Sequence, residues 1–281
     1  MKKRILEHFK NRKDKEETIP KNNSGIISHS VFNKFFLEVA SITIFTLRFF
    51  KEAIKPPYEI NELMKQSFLI GFKSLSLVAV TSFILGLVLT VQSRPTLAKF
   101  GAESMLPVMV AVSIIREIGP VIIALIFAGK VGSGIGAELA SMNVTEQIDA
   151  MQVSHTNPFN YLVVTRVISA TFMLPLLVIF GDTIGLLGSY VAVNIKGNVS
   201  FSLFFSQIFQ SLEFMDVFPA ILKTFFFGFA IGLIGCYNGY YANKGTEGVV
   251  GKAANSAVVY ASLMVFVIDM MAVQILTLFQ N

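Results

Sequence analysis

Charge is scarce in this chain, and so are cysteine and histidine. Only 15% of its residues are charged, against roughly 25% in ordinary soluble domains. Hydrophobic residues make up 53%, and mean hydropathy is +0.64. The single cysteine, Cys236, excludes an intramolecular disulfide framework and reads as a small apolar residue in a packed helix. His8, His29 and His155 are scattered, none with a companion at metal-ligand spacing. No serine sits in a GxSxG elbow or beside a His/Asp arrangement. These absences argue against a disulfide-stapled domain, a metalloenzyme and a hydrolase, and no cofactor is expected.

What the chain has instead is long apolar runs, enough for an all-α polytopic membrane protein. Five spans are expected, at about 73–91, 105–128, 161–193, 218–241 and 256–279. The third exceeds the roughly 20 residues a crossing needs. Pro175 and the Gly181-Asp182 step predict that it is broken into a span and a short extra helix or kinked extension. Ahead of the spans, Phe32, Phe35, Phe36, Val39, Ile42, Thr46 and Phe49 recur at helical spacing, with Phe45 as an exception. Lys34, Glu38, Ser41, Arg48 and Glu52 mark another face. That pattern predicts an amphipathic helix lying in the headgroup plane over residues 26–55, ended by Pro56-Pro57. Residues 1–25 read as a disordered basic tail with no apolar h-region behind it, so no cleavable secretory signal is expected.

Fourteen of the 23 Lys and Arg fall within residues 1–73. Such a tail suits a cytoplasmic membrane flank better than nucleic-acid binding, and places the amino terminus inside. Five crossings then put the carboxyl terminus outside. The loops after spans two and four become cytoplasmic, with Lys130, Arg166, Lys244 and Lys252 inside and Arg94, Lys99 and Lys196 outside. No internal repeat and no soluble domain is evident.

The stretch GKVGSGIG, Gly129 to Gly136, resembles a phosphate-binding loop but fails its spacing: position 124 is alanine and Lys130 precedes Val131. Gly129, Gly132, Gly134 and Gly136 read instead as helix-packing or hinge positions. ATP hydrolysis is expected from a separate subunit. Residues 137–153 read as a short helix with apolar Leu139, Met142, Ile148 and Met151 and acidic Glu138, Glu146 and Asp149, with Thr145 placed to cap a turn starting at Glu146. Such a helix, with Gln147 also on it, suits insertion into a partner's groove.

Five charges lie at bilayer depth: Arg116, Glu117, Asp182, Lys223 and Asp269. Intramembrane charges mark paths, relays or paired cores. Adjacent helical residues diverge by about 100°, so Arg116 and Glu117 need different partners. Depth matching predicts Arg116–Asp269 and, through the flexible lysine stem, Glu117–Lys223. Gly119 and Pro120 follow directly and loosen the backbone there.

The run REIGPVIIALIFAGKVGSGIGAELASMNVTEQIDAM resembles the hallmark of the MlaE (YrbE) permease family, and the similarity continues through YNGYYANKGTEGVVGKAANSAVVYASLMVFVIDM. It covers residues 60–281. Lys130 stands where arginine is more frequent, Gly134 and Gly136 where alanines are common, and Asn143 near a usual lysine; the first 25 residues carry no family signal. The resemblance implies the permease subunit of an ATP-binding-cassette transporter that moves phospholipid or a related lipid, as in maintaining outer-membrane lipid asymmetry. It implies a homodimer in the bacterial inner membrane, a cytoplasmic ATPase pair, a periplasmic MCE-domain partner and, in some members, a STAS-domain subunit. Arg116, Glu117, Lys223 and Asp269 are then substrate-path or gating charges. Glu138, Met142, Thr145, Glu146, Gln147 and Asp149 form the ATPase-coupling helix. The rival expectation is an ion-coupled secondary transporter using Glu117 and Asp269, weakened by the absence of an inverted repeat.

Overall fold

The computed structural model describes residues 24–56, 58–195, 197, 199–243 and 248–280, with side chains from 39 to 278 of these. The expected tail, the side chains of Phe32, Phe35 and Phe36, and residues Lys196 and Lys244 lie outside the described residues. The chain divides into two units between Phe45 and Thr46. What is described of the first is helical and belongs to α1 (Ser24–Ala53), whose last turns open the second unit. On α1, Phe45 and Phe49 are buried while Val39 is exposed, so Phe45 does not stand apart from the buried face as its spacing predicted.

The second unit contains five helical rods long and apolar enough to cross a membrane. Lipid offers no partners to backbone N–H and C=O groups, and helices satisfy them internally. The first rod is α2 (Ile60–Lys99). The second runs from Glu103 to Val144: after a 3₁₀ turn come α3 (Leu106–Ser113), a π-turn (Ile114–Ile118), α4 (Gly119–Phe127), another π-turn (Ala128–Gly132) and α5 (Ser133–Val144). A short α6 (Gln147–Val153) and a third π-turn (Phe159–Val164) lead to α7 (Thr165–Asn194). Then follow α8 (Phe201–Ser211), α9 (Phe214–Tyr240) and α10 (Val249–Gln280). The helices overrun the apolar stretches that announce them; α2 begins 13 residues before position 73, through Glu62 and Gln66, which hydrogen-bond each other at 2.7 Å.

The expected break in the third span does not occur. Pro175 and Gly181-Asp182 lie inside the unbroken α7, and the extra helix is α8, beyond residue 199. Proline removes one backbone donor, yet neighbouring helices in a bundle hold such a helix in place. α7 is the most enclosed of the rods, packed on α2 and α9, whereas α10 is mostly exposed.

Without a hydrophobic drive between helices in lipid, close backbone approach and interhelical hydrogen bonds must hold them. α2 and α7 meet at Gly86 and Gly185, where a Cβ on Gly86 would overlap the Gly185 carbonyl. Flanking this contact, Thr90 donates to Ser189 at 2.7 Å and Ser67 to Ser169 at 3.0 Å. On the other side of the bundle, Gly132 and Gly136, four apart on the second rod, face Gly235 and Gly239, four apart on α9. A Cβ on Gly239 would lie 2.7 Å from the Gly136 carbonyl oxygen, and one on Gly235 3.0 Å from that of Gly132. The phosphate-loop look-alike is thus one half of a paired small-residue seam. Gly129 and Gly134 take no part in it, since a side chain there would meet open space.

This contrast predicts opposite effects in one segment. Gly239→Ala should destabilise the folded protein in detergent by about 1–3 kcal/mol through overpacking. Gly134→Ala should stabilise it by roughly 0.5–1 kcal/mol, because alanine loses less backbone freedom in a helix. Thermal unfolding of the two variants beside wild type measures the difference.

Candidate functional site

Pro120 sets the geometry at the centre of the second rod. It has no N–H to give the Arg116 carbonyl, and the backbone widens into a π-turn in which the Gly119 N–H reaches Ile114 instead. Arg116 and Glu117 both sit in that turn. Glycine at 119 is required because the Asp182 carboxylate of α7 occupies the place a Cβ would take. Asp182 Oδ1 is buried and has no hydrogen-bond partner among the described residues.

Lys223, two turns into α9, is the hub. Its side chain is only 2% exposed, and its Nζ lies 2.5 Å from Glu117 Oε2 and 2.8 Å from Asp269 Oδ1 on α10. One ammonium therefore joins spans two, four and five. Taking a cation out of water costs several kcal/mol, offset only where opposite charges and hydrogen bonds surround it; two carboxylates do so here. The cluster is not sealed within one chain. Glu117 is 43% and Arg116 41% exposed, so the charged face opens away from the bundle.

The predicted Glu117–Lys223 pair is present, but Arg116–Asp269 is not. Lys223 holds Asp269, and Arg116 Nη1 reaches Asp216 Oδ1 at 3.3 Å. Asp216 escaped the depth argument because α9 starts at Phe214, four residues earlier than its apolar run suggests. Its signal was local: Glu213 and Asp216 form a reciprocal capping box, with Asp216 accepting from the Glu213 N–H at 3.1 Å.

The helix expected over residues 137–153 also differs from expectation. Residues 137–153 form the end of α5 and the separate α6, divided at Thr145 and Glu146. Thr145 is no N-cap: it closes α5 at its C-terminal end, Glu146 holds the N-cap position of α6, and the Thr145 hydroxyl donates back to the Ser141 carbonyl at 2.9 Å. Glu146 adopts a left-handed conformation (φ 58°), uncommon for a residue with a side chain, and turns the chain sharply. The apolar stripe faces inward: Leu139 and Ile148 are buried, and Met142 and Met151 half-buried. Among the residues that project outward are Val144, Glu146, Gln147, Asp149, Gln152 and Val153. Glu138 pairs with Arg166 at 2.8 Å. Asn143 donates to the Ala242 and Tyr240 carbonyls at 2.7 and 3.3 Å, satisfying acceptors that the end of α9 leaves over. Asp216, Arg166 and Asn143 are the contributors that spacing and depth did not single out.

Residues 63–275 match the family described as Permease MlaE. A probable ABC transporter permease protein of Rickettsia typhi is 41% identical over 243 residues, covering 86% of this chain and 93% of its own. The intermembrane phospholipid transport system permease protein MlaE of Haemophilus influenzae is 34% identical over 209 residues, 74% of this chain and 79% of its own. A probable ABC transporter permease of Synechocystis is 33% identical over 204 residues, 73% and 77% of the two chains.

The hub predicts strong non-additivity. Lys223→Met leaves the partly exposed Glu117 and Asp269 without their shared cation and should cost about 1–3 kcal/mol. Adding Glu117→Gln and Asp269→Asn to that variant should recover most of the loss. Unfolding of the single and triple variants in detergent measures both.

Proposed function

Since the chain belongs to the MlaE family of ABC-transporter permeases, a multi-pass membrane protein by its five apolar rods, we propose that it passes phospholipid between the inner membrane and a periplasmic MCE-domain partner. ATP hydrolysis comes from a cytoplasmic ATPase subunit. The observation that carries this reading is the half-open cluster of Arg116, Glu117, Lys223 and Asp269 at bilayer depth. A path for an amphiphile needs apolar walls for acyl chains and a polar station for the headgroup. Arg116, half-exposed and held by one carboxylate at 3.3 Å, has donors left for a phosphate. The name of the Haemophilus relative, an intermembrane phospholipid transport permease, supports the choice of cargo.

In this reading two copies meet through the exposed apolar faces of α10, which carries Leu263, Phe266, Val267 and Met270. The open sides of their charge clusters then face a shared cavity. The basic tail lies in the cytoplasm, α1 along the inner headgroup plane and the carboxyl terminus in the periplasm, and a small STAS-domain subunit joins the assembly. The ATPase seats on Glu146, Gln147 and Asp149, with their half-buried neighbour Met142 beneath. Its stroke passes through Asn143 to α9, the helix that carries Lys223. Closure re-pairs charges as the rods shift as near-rigid bodies. Glu117 and Asp269 both hold Lys223, which counts against an ion-coupled carrier using those two acids.

Purification in mild detergent tests the assembly. An ATPase and an MCE-domain protein should accompany the chain and confer ATP-dependent lipid transfer on proteoliposomes; a chain that purifies alone and performs ion-driven uptake overturns the reading. Glu146→Lys with Asp149→Lys should abolish ATPase capture. Arg116→Gln should keep capture and lower lipid transfer by about tenfold, the worth of one hydrogen bond to a charged group.

A further inference from the structure

Lys223 is not the chain's only buried cation. Arg166, at the start of α7, has a side chain 3% exposed. Its Nη2 lies 2.8 Å from Glu138 Oε1 on α5. Its Nη1 donates at 3.0 Å to the Leu162 carbonyl, inside the π-turn that precedes α7. Its Nε has no partner among the described residues. Glu138 is half-exposed. Even with the charge of buried Glu62 acting on it as well, burying a guanidinium against a half-exposed carboxylate is a poor way to stabilise a fold, since an apolar side chain of similar volume packs without the desolvation cost. What arginine adds is a two-armed tie. One arm holds the helix that ends in the cytoplasmic hairpin, and the other holds a π-turn, a backbone form that recurs at functional sites.

We propose that Arg166 is a positioning residue that locks the α5–α6 hairpin to the third span, so that a push on the hairpin moves α5 and α7 as one body. This rests on the ATPase-driven reading above. It takes Glu138 out of the docking surface, because its carboxylate is spent on Arg166. The hairpin then has two unlike attachments: the amide of Asn143 to the end of α9, and the ion pair to α7. The second leads to the charge cluster by contact alone. α7 carries Asp182, whose carboxylate abuts Gly119 next to the turn that holds Arg116 and Glu117. A displacement of α7 therefore reaches the cluster from behind, while α9 moves Lys223 from within.

The test uses the full chain assembled with its ATPase and reconstituted in proteoliposomes, as wild type, Glu138→Gln and Arg166→Met. Spin labels at exposed Gln152 on α6 and Thr183 on α7 report whether hairpin and span move together. Wild type should give one narrow distance distribution that nucleotide does not shift. Both variants should broaden it, and lipid transferred per ATP should fall at least about threefold, in the range for residues that carry coupling, while hydrolysis stays near wild type. A purely stabilising role would lower assembly and hydrolysis together and leave the ratio intact. Should Arg166→Met fail to assemble, Glu138→Gln decides, since it keeps size and shape at a half-exposed position. Unchanged distances and an unchanged ratio in Glu138→Gln overturn the proposal. A wild-type complex that hydrolyses ATP and moves no lipid would instead overturn the lipid function, with the label distances still deciding the tie.

Discussion

One buried ammonium organises the membrane half of this protein. Lys223 leaves α9 between two carboxylates carried by different rods, Glu117 on the second and Asp269 on the fifth. Remove the cation and two partly exposed acids lose their shared partner; remove either acid and the buried ammonium loses half its compensation. Such a junction is specific before it is stable. It fixes the register of three helices that apolar contact in lipid leaves free to slide, and it remains open on one side, where Arg116 and Glu117 are partly exposed.

The rest of the bundle serves to bring these groups to one depth. Gly86 against Gly185 seats α2 on α7, and the seam of Gly132 and Gly136 against Gly235 and Gly239 seats the second rod on α9. Pro120 turns a helix segment into a π-turn, and Gly119 leaves room for Asp182 behind it. Each device is a local sequence choice with a consequence at the cluster. Small residues draw the helices close enough for lysine to reach, and a missing N–H shapes the turn that presents both members of the Arg-Glu pair.

Much of this was legible beforehand. Five rods follow from apolar run length, and Glu117–Lys223 follows from depth and a flexible stem. The differences have three physical causes. Depth matching assigned Asp269 to Arg116 because it placed the start of α9 by hydropathy, whereas the helix begins at Phe214 and brings Asp216 within reach. Proline propensity predicted a broken third span, but packing on both sides keeps α7 whole through Pro175. Periodicity predicts a loop helix that offers its apolar stripe to a partner. In fact Leu139 and Ile148 hold the hairpin down, and the exposed residues are mainly polar and acidic. Periodicity says which residues share a face; it does not say which way that face points.

The α5–α6 hairpin touches α9 through Asn143 and α7 through the Glu138–Arg166 pair, and these two helices carry Lys223 and Asp182. In the proposed function the cluster borders the path of the transported lipid. A photo-crosslinking side chain at Ile115, within the π-turn, compared with one at exposed Val80 on α2, addresses it directly in the assembled transporter supplied with labelled phospholipid. Crosslinking at position 115 should change with ATP while that at position 80 does not. Yields independent of nucleotide at both positions would contradict it.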